Sequence, residues 1–296
     1  MPIRYQGGKQ RFAKAIYEVM TDYEYRNTGK NKLNLYSPFF GMGAVELEFS
    51  RRDNDEKCVR TITANDINED VILMWESLQD GWLPKKTCSE TYYKKLKTSD
   101  PSAERGFYLS AYAFGGVFGS SFRGKYQTPE QNKREGLNAY NKVKEVVPYL
   151  DCFKFRNGSY IKRMPKKGEM VYADPPYYSS LDYGVNKYLT DFDYDEFWDT
   201  MRKWSKTNLV FISEEKGKHI PKDFISIWEL STTRTVGSLK GGKGKKKESL
   251  FIHKRYVKKG SKRRESPDKE KISECKEYLE DMGYNVKKTR RSKNDL

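Results

Sequence analysis

The run Asp174-Pro175-Pro176-Tyr177 has the residue types and spacing best suited to chemistry in this 296-residue chain. Consecutive prolines fix φ and remove backbone N–H donors, so the carbonyls of Asp174 and Pro175 can point outward from a stiff turn. Asp174 Oδ and the Pro175 carbonyl are then acceptors for the hydrogens of a ring-bound amino group. Such an amine is a poor nucleophile because its lone pair is delocalised into the ring. Holding both hydrogens draws the nitrogen towards tetrahedral geometry and exposes the lone pair to an incoming methyl, while the Tyr177 ring stacks on the acceptor's plane. There is no thiol in the turn, so covalent attack on a ring carbon lacks an evident nucleophile. The competing reading is a rigid turn with a buried aromatic.

Other residues suit a cofactor. Gly41 and Gly43, in Pro38-Phe39-Phe40-Gly41-Met42-Gly43, let the backbone approach a ligand closely. An acid at a strand end such as Asp66 accepts the ribose hydroxyls of a nucleoside cofactor, or else caps the helix that follows. Lys9, in Gly7-Gly8-Lys9, offers a cation for the carboxylate of a methionine moiety, or is an exposed surface charge.

These residues need elements to bring them together. Helical spacing of Phe12, Ile16 and Val19 predicts a helix over Arg11–Met20. Strands are expected at Leu33–Tyr36 and Thr61–Ala64, with helices beginning at Ala44 and covering Asn68–Leu78. Strand, glycine turn, helix, strand and acid in that order open a parallel α/β sheet. From Gly81 to Leu150 the pattern becomes glycine-interrupted, aromatic and polar, as expected of a small domain inserted into the sheet. The sheet resumes at Met170–Ala173, with a helix over Asp191–Lys203 and strands at Leu209–Ser213, Phe224–Leu230 and Leu250–Ile252. Gly237–Lys247 reads as a flexible hairpin loop, and Ile272–Leu279 as a short helix in an otherwise charged tail.

Composition narrows the partners. Fifty-seven Lys and Arg against forty-one Asp and Glu give a formal charge of +16, and Lys243–Arg264 holds eleven basic residues and one acid. Such a stretch suits a polyanion or simply a solvated tail. Four cysteines without ligand spacing and two histidines predict a reduced, metal-free protein. The absence of a signal-like opening or long apolar run predicts an intracellular, non-membrane protein, and the basic stretch adds nucleic acid as a candidate polyanion.

Taken together the motifs resemble the Dam-type family of adenine DNA methyltransferases over roughly Met1–Lys254. Arg4-Tyr5-Gln6-Gly7-Gly8-Lys9 is similar to the family's Lys/Arg-Trp-x-Gly-Gly-Lys, with tyrosine in place of tryptophan; Pro38–Gly43 matches Pro-Phe-x-Gly-x-Gly; Asp66-Ile67-Asn68 and Asp174–Tyr177 match the later motifs. The resemblance implies a Rossmann-like S-adenosylmethionine-dependent α/β core, residues 1–80 and 151–255, with a mainly helical DNA-recognition domain at 81–150 and a basic, partly flexible tail at 256–296. It implies catalysis by Asp174, Pro175 and Tyr177, and cofactor binding by Tyr5, Lys9, Pro38, Phe39, Gly41, Gly43, Asp66 and Asp174. It also suggests that Phe211-Ile212-Ser213-Glu214 borders the adenine pocket. Double-stranded DNA is the implied partner, contacted by Arg123, Lys125, Tyr126, Lys245, Lys246 and Lys247, and a monomer without an obligate protein partner is expected. Ala111–Gly124 departs from the bacterial Dam pattern, so the target sequence does not carry over. Cytosine-N4 methylation, RNA modification and a catalytically silent DNA-binding protein are the alternatives at this point.

Overall fold

The computed structural model describes residues 8–29, 32–53, 60–178, 192–235 and 243–257, with backbone only for 231–235 and 243–247. Its contacts divide the chain into two compact units, Met1–Ser213 and Glu214–Leu296. Tyr5, Gly7, Gly237 and the expected helix at Ile272–Leu279 lie outside the described residues.

In the first unit α1 (Ala13–Thr28) is followed by β1 (Leu35–Ser37), α2 (Ala44–Asp53), β2 (Ile62–Asp66) and α3 (Glu69–Gln79). After the helical segment come β3 (Phe153–Asn157), β4 (Met170–Ala173), α7 (Tyr194–Trp204) and β5 (Leu209–Glu214). These strands lie in the order β3-β2-β1-β4-β5. Every pairing among them is parallel, with Leu35 opposite both Ile62 and Met170, Ile62 opposite Phe153, and Met170 opposite Leu209. Parallel strands covered on both faces require continuous apolar runs, and Met170-Val171-Tyr172-Ala173 and Leu209-Val210-Phe211-Ile212 are buried throughout. Each Val, Leu, Ile, Met or Phe among them contributes about 1.5–3 kcal/mol on burial.

The chain leaves β1 towards β2 and β3 on one side, and returns to add β4 and β5 on the other. At this reversal the loops after β1 and β4 part in opposite directions, opening a crevice beyond the carboxyl ends of the strands. The Pro38–Gly43 turn and Asp174–Tyr177 both start at that crevice.

The segment 81–150 is helical, with α4 (Glu90–Lys97), α5 (Ala103–Ala111) and α6 (Pro129–Val146). Each has a local start signal. The Ser89 and Ser102 hydroxyls accept from Tyr92 and Arg105 N–H, and Thr128 forms a reciprocal capping box with Gln131, ahead of Pro129. α5 lies closely on α3. At Gly106 a Cβ would stand 2.1 Å from the Asp70 carbonyl oxygen, and Asp70 accepts the Ser102 N–H at 3.0 Å and pairs with Arg105 at 3.1 Å.

In the second unit, β6 (Phe224–Thr235) and β7 (Lys243–His253) form an antiparallel hairpin. Lys243–Lys247 therefore belongs to a strand and not to the expected loop: its backbone is in register with Ser231–Thr235, so ladder pairing extends the hairpin through the basic run. β3 adds to the expected strands, and its Phe153-Lys154-Phe155-Arg156 alternates as an edge strand does.

Candidate active site

The Asp174 carboxylate follows β4 directly and pairs with the Lys9 ammonium at 2.6 Å. Lys9 is buried, and its Nζ lies 4.3 Å from the centroid of the Tyr177 ring, which is also buried. A cation over a π face is attracted to it, so Asp174, Lys9 and Tyr177 form one charge-and-ring cluster. The turn is fixed from behind by Tyr194, the first residue of α7, whose hydroxyl donates to the Pro176 carbonyl. The Tyr194 ring also meets that of Tyr178 edge-on at 5.3 Å.

The neighbouring turn is built around Asp66. One carboxylate oxygen accepts the Gly41 N–H at 2.7 Å and the other the Asn68 N–H at 2.9 Å. Burial raises the Asp66 pKa, against the pull of these N–H donors. The Trp75 indole N–H donates to the Gly41 carbonyl at 3.0 Å, so Gly41 is held from both sides. Gly43 has φ +62°, and a Cβ there would lie 2.4 Å from the Phe40 ring, so backbone conformation and space both require glycine. Asn65 ties the strand ends together by donating to the carbonyls of Pro38 and Gly158 at 3.2 and 2.9 Å. Phe39 is half-buried among Tyr160, Phe192 and Phe197.

Three residues at this crevice were given no role of their own from the sequence, Ile67 and Asn68 having entered only as neighbours of Asp66 in its motif. Ile67, beside Asp66, is 53% exposed although large and apolar. Asn68 is buried, yet neither amide atom has a hydrogen-bond partner among the described residues. Glu46, in the first turn of α2, is buried with its carboxylate on the Ser37 hydroxyl at 2.5 Å. An exposed apolar side chain next to a strand-end acid is a signal legible in sequence; the burial of Asn68 and Glu46 is set by the fold.

An orphaned amide, a half-buried strand-end carboxylate, an exposed apolar side chain and a paired ammonium suit a ligand with ribose, base and amino-acid parts. A nucleoside carrying a methionine moiety fits this donor and acceptor set.

The expected DNA contacts are placed less uniformly. Arg123 is buried, paired with Glu135 at 2.8 Å and lying 5.0 Å from the Tyr112 ring centroid. The Glu135 pair uses part of the Arg123 charge inside the helical segment. Lys125 is exposed and 3.3 Å from Glu90. Tyr126 and Phe114 are 62% and 52% exposed with ring centroids 4.6 Å apart, an aromatic pair on the surface. Lys245, Lys246 and Lys247 lie on the β7 backbone.

A family model described as D12 class N6 adenine-specific DNA methyltransferase matches residues 5–236. No curated protein sequence matches. Among solved structures, the rRNA methyltransferase aviRa from Streptomyces viridochromogenes is 11% identical, with a TM-score of 0.35 over 81% of this chain and 86% of its own. The bifunctional kinase-methyltransferase WbdD is 13% identical, with a TM-score of 0.37 over 83% of this chain and 39% of its own. SMU.472, a putative methyltransferase complexed with SAH, is 11% identical, with a TM-score of 0.36 over 83% and 54%.

Proposed function

The chain belongs to the family of D12 class N6 adenine-specific DNA methyltransferases, and on that footing we propose that its reaction centre is the Asp174–Tyr177 turn with its Lys9 partner. It is an enzyme that methylates the amino group of adenine in DNA, and S-adenosylmethionine is its methyl donor. When bound, this cofactor supplies an electrophilic methyl group on a sulfonium.

The protein's own task is positioning. Asp174 Oδ and the Pro175 carbonyl accept the amine's hydrogens, and Lys9 fixes the Asp174 carboxylate in direction. Asp174 is a hydrogen-bond acceptor more than a committed base, and the amine's proton passes to water or a weak acceptor. Tyr177 holds the plane of the base. Asp66 accepts ribose hydroxyls, Ile67 covers a base face, and Asn68 supplies amide partners. Pro38, Phe39, Gly41 and Gly43 shape the wall, with Tyr5 assigned to the same task by family resemblance.

The target adenine leaves its stack to reach this crevice, which costs a few kcal/mol that protein contacts must offset. Residues 81–150 carry the recognition surface in this reading, with the Phe114–Tyr126 pair available to stack on bases and Lys125 to meet phosphate. Lys245, Lys246 and Lys247 add phosphate contacts. Such an enzyme works inside the cell in association with DNA. A single chain holding both cofactor and target acts as a monomer.

The observation that carries the assignment is the Lys9–Asp174 pair lying against Tyr177 at the sheet's reversal point. Incubation of the chain with labelled S-adenosylmethionine and unmethylated duplex DNA, followed by base analysis, should give N6-methyladenine. Asp174→Ala should lower kcat by about 10²–10³-fold, as removal of a preorganised hydrogen-bonding group does; wild-type turnover in that variant would remove Asp174 from the reaction centre.

A further inference from the structure

Glu46 opens α2 directly behind the Gly41–Gly43 turn and is 2% exposed. Its Oε1 accepts the Ser37 hydroxyl at the carboxyl end of β1. From the end of β4 it feels the Asp174 carboxylate, whose partner is Lys9. Other charged and titratable groups along α2 lie further from its start: Tyr17, Glu18 and Glu24 of α1 meet Arg52, Asp53 and Arg60, Glu48 pairs with Arg52, and Tyr149 faces Arg51. Among the described residues, the crevice thus sets two carboxyls, Glu46 and Asp174, against one ammonium, Lys9, with the Asp66 carboxylate on backbone N–H groups at the neighbouring turn.

A buried carboxylate in excess over its cations is expensive in a low dielectric. Either a proton stays on it or a positive charge arrives. Burial, reinforced by the negative charge of Asp174, pushes the Glu46 carboxyl up to about 8, against the Ser37 hydrogen bond and the N–H groups of Val45 and Glu46. At neutral pH the proton is on Glu46.

We propose that Glu46 couples the site's charge to that of its occupant: its carboxyl is protonated in the free protein, releases the proton when the cationic sulfonium cofactor is taken up, and retains it when the neutral thioether product takes the same place. The O–H bond of the acid breaks, the proton goes to solvent, and no other bond changes. Ionised Glu46 attracts the sulfonium and gives no such advantage to the thioether, so it favours methyl donor over spent product increasingly as pH rises. Glu46 acts through charge without touching the reacting atoms, as a positioning residue. The inference rests on the reading that the cofactor lies across the carboxyl ends of β1, β2 and β4.

The test is calorimetric binding of S-adenosylmethionine and S-adenosylhomocysteine to the full chain, from about pH 6 to pH 8.5, in buffers of different ionisation enthalpy. Wild-type affinity for S-adenosylmethionine should gain a few-fold per pH unit over Glu46→Gln, with tenfold as the one-proton ceiling. Wild type should also release more protons than Glu46→Gln on binding this ligand, and an equal number on binding the thioether. Titration of the ligand's own amine is common to both proteins and cancels in the difference. Ser37→Ala keeps the carboxyl but removes a hydrogen bond that favours its ionised form, so the gain should move to higher pH. Equal pH slopes and equal proton counts in wild type and Glu46→Gln would overturn the inference. Asp66→Ala separates it from the site reading: if that variant binds the cofactor as wild type does, the cofactor lies elsewhere and both readings fall. If Asp66→Ala binds weakly at every pH while Glu46→Gln keeps the wild-type slope, only the Glu46 inference falls.

Discussion

In the proposed reaction a carboxylate must aim its lone pairs at an amine, and the Lys9 ammonium at 2.6 Å fixes the direction of Asp174. Asp66 is held differently, by the backbone N–H groups of Gly41 and Asn68. Glu46 has the weakest compensation and bears directly on stability. Its folded-state pKa of about 8 exceeds the ordinary 4.5, so the native state binds this proton more tightly than the unfolded chain does. The resulting stabilisation is present below about pH 4.5 and is lost as pH rises to about 8, at up to ~1.4 kcal/mol per unit. Urea unfolding across that window should show Glu46→Gln losing less stability with rising pH than wild type. The motif residues were legible because their chemistry is local: prolines stiffen, glycines admit positive φ, and an acid at a strand end has few other tasks. Glu46 was not, since an acid in the first turn of a helix reads as an ordinary partner for the helix dipole, and only the sheet beneath α2 makes it buried.

Among the elements, the seam between α3 and α5 is the most demanding in shape. Gly106→Ala would push a methyl into the Asp70 carbonyl, and because that neighbour is helix backbone it cannot swing aside. A loss of about 1–3 kcal/mol is expected, typical of overpacking, measured as a lower denaturation midpoint with unchanged m-value. Gly115, with φ +68° and open space around it, should accept alanine with only backbone strain of about 1 kcal/mol. The serine and threonine caps that start the helices of this region are local signals, but their attachment to α3 is not. It depends on Asp70 meeting Ser102 and Arg105 some thirty residues further along the chain. The Arg123–Glu135 pair was hidden from sequence for the same cause, because Glu135 reaches Arg123 from α6. β3 is masked by the polar stretch that precedes it, although its Phe-Lys-Phe-Arg alternation is there to be read.

At the scale of the whole molecule, charge and topology divide the work. The excess of +16 makes non-specific DNA affinity fall steeply with salt. Replacing Lys245, Lys246 and Lys247 by glutamine should reduce the slope of log K against log salt by roughly one to three, about 0.9 for each phosphate left without its lysine; an unchanged slope would take these lysines out of the interface. Apart from β3, the order of strands, glycine turn, acid and proline turn was readable because a parallel sheet writes its reversal into the sequence as motifs at strand ends. The reach of the β6–β7 hairpin was not, since lysines and glycines read as loop until their backbone partners are known. The α3–α5 seam has one more consequence, for engineering. Residues 81–150 are not a cassette: their Gly106 is fitted to a helix whose N-terminal end bears Asn68 beside Asp66. Transplanting the segment into a relative would set this glycine against a foreign surface, so a working graft must carry the matching face of α3 with it.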